Sequence, residues 1–173
     1  MRYLLRSQLL SLFCALMVAA ALWFAPPAWA TGAADFPAQA PAAHVVDNAD
    51  LLSRAAEGLQ AAFQLGIGGA EVQARLVTLR RLDYGLSLDG LGQALLQRWD
   101  PNGQAADLLL LIESQNNSAA VVASPDLSER LPASLLSSTA ISTMGLPLRE
   151  GARYRQASLD ALDRLEVVLQ GDA

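Results

Sequence analysis

The sequence predicts an α/β domain, a small sandwich built on a mixed β-sheet. Short apolar runs alternate along the chain with stretches in which leucines recur at helical spacing. Residues 108–112 are apolar throughout and too few for a helix, as expected of a central strand covered on both faces. A short polar turn joins this run to the apolar residues 119–123, so these two strands are expected to form a hairpin.

The first thirty residues predict a secretory signal peptide over 1–30. Arg2 and Arg6 form its positive end, residues 9–25 its apolar centre, and Ala28-Trp29-Ala30 a small-x-small cleavage site. An uncleaved membrane anchor is the alternative, because the apolar segment approaches the lower length limit of a membrane span. The signal predicts export to a non-cytoplasmic compartment.

The composition excludes a nucleic-acid-binding protein. Without residues 1–30, the remaining 143 residues are about 48% apolar, an ordinary value for a globular domain. The whole chain has a net charge of −5, its twelve basic residues are all arginine, and none of them forms a basic cluster larger than Arg80-Arg81. Binding to nucleic acid requires a clustered basic face that displaces the counterions of the phosphates.

Residues 31–43 predict a flexible leader, because they are rich in Ala, Pro and Gly and show no period. The domain is expected to span residues 44–170, to begin with a short strand at 44–47, and to leave a tail at 171–173. Ser53 is expected to cap the first helix, with Leu59 and Phe63 on its apolar side. The glycine-rich residues 65–69 are interpreted as the end of this helix rather than as a phosphate-binding loop, since no strand precedes them.

The remaining elements follow from the same signals. Residues 75–79 predict a strand, and Ser87 is expected to cap a helix that runs to Trp99. A helix is expected over residues 132–143, ended by Gly145 and Pro147, and a last helix over 154–169. The element order is therefore β-α-β-α-β-β-α-α.

The inventory of catalytic side chains is small. The single cysteine, Cys14, lies in the predicted signal, and the single histidine, His44, lies where the leader meets the domain. The exported part therefore lacks the side chains of the usual acyl-transfer and thiolate triads, and zinc binding is disfavoured for the same reason. We expect a structural role for His44.

Carboxylates remain as possible metal ligands. Acids at strand ends and helix starts can meet at one edge of an α/β sheet, and their oxygens suit Ca²⁺ or Mg²⁺. The alternative is that each of them is a helix cap, a turn residue or a solvated terminus. The acids predicted to form such a site are Asp47, Asp50, Asp83 and Asp107.

Two loops carry arginine and tyrosine, which are frequent in protein interfaces. Arg80, Arg81 and Tyr84 follow the strand at residues 75–79. Arg149 and Tyr154 lie in a second polar loop before the last helix. We interpret both loops as candidate partner-binding surfaces, the alternative being a loop salt bridge and a packed tyrosine.

The chain resembles the TPM-domain family in two fairly specific stretches. These are Arg-Arg-Leu-Asp-Tyr-Gly at residues 80–85 and Pro-Leu-Arg-Glu-Gly at residues 147–151, the latter with Tyr154 close behind. The resemblance extends over about residues 44–170 and is closest to the cyanobacterial photosystem II repair branch, whose plant relatives are thylakoid-lumen proteins. It implies a single three-layer α/β/α sandwich in which Asp47 and Asp50 match the family's acidic N-terminal loop.

The resemblance also implies a function. We expect an accessory protein of the thylakoid lumen or periplasm that supports photosystem II repair or protects against photodamage. Its expected partners are photosystem II subunits or other thylakoid membrane proteins, and it would be at most peripheral to the membrane once the signal is cleaved. The alternative is a metal-dependent acid phosphatase that uses carboxylates at the sheet edge, and a third possibility is a periplasmic role outside photosynthesis.

Overall fold

Four strands form one mixed sheet in the computed structural model, which describes residues 30–64 and 71–171. They are β1 (Val45–Asp47), β2 (Gln73–Leu79), β3 (Asp107–Glu113) and β4 (Ser118–Ala123), and they lie side by side in chain order. β1, β2 and β3 are parallel, whereas β4 is antiparallel to β3. The predicted mixed sheet and its terminal hairpin are confirmed.

Helices cover both faces of the sheet. The described helices are α1 (Ala56–Gln64), α2 (Leu88–Trp99), α3 (Ala133–Ser138), α4 (Gly145–Gly151) and α5 (Tyr154–Gly171). A 3₁₀ turn at Ser53–Ala55 leads into α1, and a π-helical turn at Thr139–Met144 joins α3 to α4. Ser87 caps α2 as predicted, because its Oγ accepts a hydrogen bond of 3.0 Å from the Gly90 amide.

Strand alternation builds two separate cores. Leu108, Leu110 and Ile112 of β3 face α1, α3, α4 and α5, whereas Leu109 and Leu111 face α2. Every residue of β3 is buried, which fits a strand at the centre of the sheet. The predicted three-layer α/β/α sandwich is confirmed.

The helix predicted over residues 132–143 is longer than expected. It starts at Ala133 and continues through the π-helical turn and α4 to Gly151, so the prediction that Gly145 and Pro147 end it is wrong. Pro147 lies in the first turn of α4, directly after the π-helical turn. A missing amide donor is tolerated there because the hydrogen-bond register changes from π to α. Ala152, with a φ of 50°, ends α4 instead.

The start of the predicted leader packs on the domain. Thr31 donates its amide to the Arg81 carbonyl at 2.8 Å and accepts from the Asp83 amide at 3.2 Å. Phe36 is 3% exposed and belongs to the core beside α2. Trp99 donates its indole N–H to the Pro37 carbonyl at 3.0 Å. Contrary to the expectation of a flexible leader, residues 31–37 are held by hydrogen bonds and apolar contacts.

Some predictions fall on residues that the structure does not describe. The signal peptide lies outside the described residues except for Ala30, and so do the glycines at 66–69 and the last two residues of the tail. Within residues 30–64 and 71–171, no helix combines the length and the apolar character needed to cross a membrane.

Candidate functional site

The carboxyl ends of β1, β2 and β3 meet at one edge of the sheet, because these three strands are parallel. We call this edge the carboxyl edge. The loops that follow the strands begin at residues 48, 80 and 114. In open α/β sheets, ligands bind in the crevice outside these strand ends.

Asp47, the last residue of β1, organises the first of these loops. Its Oδ1 accepts from the Leu51 amide at 3.0 Å, and its Oδ2 accepts from the Leu52 amide at 2.9 Å. The Thr78 hydroxyl also donates to Oδ1. Both carboxylate oxygens are therefore engaged by donors of the protein itself, and Asp47 acts as the anchor of the loop.

The same network places Arg80 at the edge. The Ala49 amide donates to Thr78 Oγ1 at 3.3 Å, and Arg80 Nε donates to the Ala49 carbonyl at 3.2 Å. From the other side, the Gln115 amide donates to the Arg80 carbonyl at 3.0 Å. Arg80 is thus fixed between the loop after β1 and the loop after β3.

Two adjoining clefts open at the carboxyl edge. The first, which we call the edge cleft, has a volume of about 440 Å³ and is lined by Asp50, Arg80, Arg81, Ser114, Gln115 and Tyr154 together with Ala49 and Leu51. The second, the side cleft, measures about 380 Å³ and lies between the loop after β1 and the start of α5. Leu51 and Tyr154 line both clefts, so the two form one continuous surface.

The charge at this surface is opposite to that of the whole chain. Arg80 and Arg81 line the edge cleft, and Arg153 and Arg155 line the side cleft. These are four of the twelve basic residues of a chain whose net charge is −5. Asp50 is the one acid that lines either cleft among the described residues. Arg153 forms an exposed ion pair with Glu150, which lies outside both clefts.

Backbone strain is concentrated in the loops of the carboxyl edge. Asp50, Ser53, Asn117 and Ala152 have φ values of 54°, 34°, 48° and 50°, and they are the non-glycine residues with positive φ in the described part of the chain. Asn117 lies in the turn after β3, and the other three lie in the two loops that form the side cleft. Such conformations cluster at functional sites.

The acids predicted to bind a metal do not come together. Asp107 is the first residue of β3 and pairs in register with Gln73, so it lies at the opposite, amino edge of the sheet from Asp47. Asp83 lies against Gly32, where a Cβ would come within 2.8 Å of its Oδ2. Within the described residues, no three His, Cys, Asp or Glu side chains are grouped as a metal site requires. The donor set of these residues does not fit Ca²⁺ or Mg²⁺.

Asp107 forms the buried ion pair of the amino edge. Its Oδ1 lies 3.0 Å from Arg75 Nη1, and its side chain is 7% exposed. Burial raises the pKa of Asp107 above its ordinary value, while the charge and hydrogen bond of Arg75 act in the opposite direction. This pair joins Arg75, the third residue of β2, to Asp107, the first residue of β3.

The residues predicted to bind a partner are divided by the fold. Arg80, Arg81 and Tyr154 converge at the edge cleft, although Tyr154 is far from the other two in sequence. Tyr84 is fully exposed and lines neither cleft. The guanidinium of Arg149 lies over Gly145, where a Cβ would be 2.6 Å from its Nη1, and Arg149 also lines neither cleft.

Three residues at this edge were missed in the sequence. Glu113, the last residue of β3, is 4% exposed and accepts hydrogen bonds from Leu82, Asn116 and Ser118. Ser114 and Gln115 follow it and line the edge cleft. Their sequence signal is their position directly after an apolar strand, where the loops of a parallel sheet place binding residues.

Known proteins share this architecture. The family model of the TPM domain matches residues 45–168. The N-terminal domain of a P. gingivalis protein, solved by NMR, is similar with a TM-score of 0.70 and 23% identity, over 83% of this chain and 94% of that one. The BA42 protein of Bizionia argentinensis is similar with a TM-score of 0.53 and 9% identity, over 66% of this chain and 78% of that one. No curated protein matches the chain.

Proposed function

The chain belongs to the TPM domain family, and on that premise we propose that it is an accessory protein that binds a partner protein at the carboxyl edge. The partner we propose is photosystem II during its repair after photodamage. The site of action is the thylakoid lumen or the periplasm, reached through the signal at residues 1–30. The support for this finer assignment is the resemblance over about residues 44–170, which is closest to the photosystem II repair branch of the family.

The observation that carries the proposal is the basic carboxyl edge of an acidic protein. Arg80 and Arg81 lie beside a cleft of about 440 Å³, with Asp50 as its one acidic lining residue in the described chain. A local charge opposite to the net charge of −5 orients an approaching acidic segment toward this edge. Guanidinium groups also hold carboxylates through two parallel hydrogen bonds. The partner segment is therefore expected to carry Asp or Glu.

Tyr154 and Leu51 supply the apolar contact of this surface. Both line the two clefts, and the half-buried Tyr154 packs on the core of the domain. Tyrosine and arginine are, with tryptophan, the residue types enriched among those that dominate binding energy in protein interfaces. A tyrosine held by the core and flanked by arginines is therefore suited to anchor a partner segment.

An acid phosphatase is the second candidate, because the matching family model carries the name TPM phosphatase. The arginines of the edge cleft are suited to hold a phosphoryl group. The acids predicted to hold its metal do not support such a reaction, since Asp107 lies at the other edge and the oxygens of Asp47 are engaged by Leu51, Leu52 and Thr78. We therefore place partner binding first.

A capture experiment tests the proposal. The tagged protein is incubated with purified photosystem II complexes, and the bound subunits are quantified for the wild type, Arg80→Ala/Arg81→Ala and Arg54→Ala. Arg54 is exposed and lines neither cleft, so its replacement controls for a general loss of positive charge. We expect capture by the wild type and by Arg54→Ala, and strongly reduced capture by the double variant.

Three outcomes contradict the proposal at different levels. Equal capture by all three proteins shows that the partner binds elsewhere on the domain. No capture by the wild type contradicts photosystem II as the partner, and normal recovery of photosystem II activity after light stress in a deletion strain contradicts the repair role. Chelator-sensitive phosphate release that Asp47→Asn and Asp50→Asn abolish would establish the phosphatase instead.

A further inference from the structure

A second, larger cavity lies at the amino edge of the sheet, on the opposite side from the clefts of the carboxyl edge. Its volume is about 630 Å³, and it lies between one side of α2, the turn after α2, and the residues that follow β4. Cavities of this size hold small ligands or single side chains. Neither the proposed partner site nor the family match accounts for it.

The lining of this amino-edge cavity is apolar along one part and acidic at another. Leu96, Pro101 and Pro125 provide apolar surface. Asp100 and Asp107 are its charged lining residues, and none of the described residues that line it is basic. The cavity therefore disfavours an anion and favours a ligand that has a positive end and an aliphatic part.

The two carboxylates each keep an oxygen for a ligand. Asp107 Oδ1 accepts from Arg75 Nη1 at 3.0 Å, and Asp100 Oδ2 accepts from the Ala105 amide at 2.7 Å. The other oxygen of each receives no hydrogen bond from the described residues. The Asp107 side chain is only 7% exposed, and it lines the cavity. A buried carboxylate with a free oxygen at a cavity gains strongly from a cationic donor.

Charge counting defines the ligand further. Arg75 balances one of the two carboxylates, so Asp100 and Asp107 together leave one negative charge at the cavity. A single ammonium group neutralises it, whereas the described residues contain no group of three His, Cys, Asp or Glu side chains that could hold a metal ion here. Burial already raises the pKa of Asp107, so an added positive charge stabilises its ionised form.

We propose that the amino-edge cavity binds an alkylammonium group, with the ammonium at Asp100 and Asp107 and the aliphatic chain along Leu96, Pro101 and Pro125. Gln93 and Gln97 of α2 and Asn102 line the cavity as well and provide amide groups for the polar part of the ligand. The chain has no lysine of its own. The ligand is therefore a lysine side chain of another protein or a free primary amine.

An NMR titration tests this site on the full-length protein in a neutral detergent. The probes are n-pentylammonium, for a free amine, and Nα-acetyl-lysinamide, for a lysine side chain, with valerate and pentan-1-ol as controls of the same chain length. We expect the two ammonium probes to shift the amide resonances of α2 and of residues 100–107, and the control compounds to leave them unchanged. Tighter binding of n-pentylammonium indicates a free amine as the ligand, and tighter binding of Nα-acetyl-lysinamide indicates a lysine side chain.

A charge substitution makes the test specific. Gln97→Lys places a positive charge in the cavity from an exposed helix position, and we expect it to weaken both ammonium probes about tenfold. Gln170→Lys makes the same change on exposed α5 away from the cavity and should leave both affinities unchanged. Thermal unfolding of each variant verifies that it is folded.

The proposal is overturned by any of three results. The first is that valerate or pentan-1-ol binds as tightly as the ammonium probes. The second is that the resonance shifts are confined to residues outside the cavity. The third is that wild type and Gln97→Lys bind the ammonium probes with equal affinity. None of these results bears on partner binding at the carboxyl edge, because the variants of the two sites share no residue.

Discussion

Arg75 and Asp107 form an ion pair of 3.0 Å between side chains that are 12% and 7% exposed. The pair links the start of β2 to the start of β3, because Gln73 and Asp107 are partners in the sheet register. A buried ion pair is costly to desolvate, and removing one partner leaves the other charge uncompensated. Removing one of the two charges should therefore destabilise the domain more than removing both.

We predict that Arg75→Met lowers the free energy of unfolding by about 3 kcal/mol near neutral pH. The double variant Arg75→Met/Asp107→Leu should regain most of this loss, because it leaves no unpaired charge. Urea unfolding of the wild type, both single variants and the double variant measures the effect. Equal stability of Arg75→Met and the double variant would show that the ion pair does not control the stability of this edge.

The same pair predicts a pH dependence. The folded-state pKa of Asp107 is raised, so the folded protein binds this proton more tightly than the unfolded chain does. The contribution of Asp107 to stability is therefore most favourable below its ordinary pKa and declines as the pH rises through the raised value. In Arg75→Met the opposing effect of Arg75 is lost, so the deficit relative to wild type should shrink from about pH 7 to about pH 4. A deficit that stays constant over this range would contradict the assignment.

The contact between α2 and β4 gives a prediction on packing. A Cβ on Gly92 would lie 2.6 Å from Val122 Cγ2 and 2.9 Å from Leu111 Cδ1. We expect Gly92→Ala to lower the free energy of unfolding by about 1–3 kcal/mol through overpacking. Gly58→Ala is the matched control, because Gly58 lies in α1 with nothing within 4 Å, and it should stabilise the protein by up to about 1 kcal/mol. Gly92→Ala as stable as Gly58→Ala would refute the close contact.

The order of strands and helices could be predicted from the sequence because it depends on local features, the short apolar runs and the leucines at helical spacing. The apolar residues 108–112, too few for a helix, predict a buried strand, and Ser87 predicts a helix cap; the structure confirms both. The prediction that the helix ends at Pro147 is wrong because a π-helical turn before Pro147 changes the hydrogen-bond register. No local sequence signal distinguishes such a π-helical turn from the end of a helix. The packing of Phe36 on α2 was likewise hidden in a segment without periodicity.

The candidate site was only partly readable. The sequence predicts Arg80, Arg81 and Tyr154 in separate loops, but their convergence at the edge cleft depends on how α5 packs against α4 and α1. The sequence does indicate that Asp47 and Asp107 are far apart, because Asp47 ends a strand and Asp107 begins one. In a parallel sheet, those positions lie at opposite edges.

We predict that Asp47 acts through structure. Asp47→Ala removes the acceptor of the Leu51 and Leu52 amides and should lower the free energy of unfolding by about 2 kcal/mol. Asp50→Asn, at an exposed position in the same loop, should change it by less than about 0.5 kcal/mol, because asparagine also tolerates the positive φ of this residue. Thermal unfolding with and without Ca²⁺ completes the test. A large Ca²⁺-dependent stabilisation that Asp47→Ala abolishes would instead make Asp47 a metal ligand.

The most direct test of the central claim is the affinity for photosystem II of two charge reversals at exposed arginines. Arg81→Glu changes the edge cleft, and Arg54→Glu makes the same change outside both clefts. We predict that Arg81→Glu raises the dissociation constant at least about tenfold, because a glutamate repels the acidic partner segment that we propose, while Arg54→Glu leaves it within about twofold of wild type. Equal dissociation constants for the two variants would contradict partner binding at the carboxyl edge.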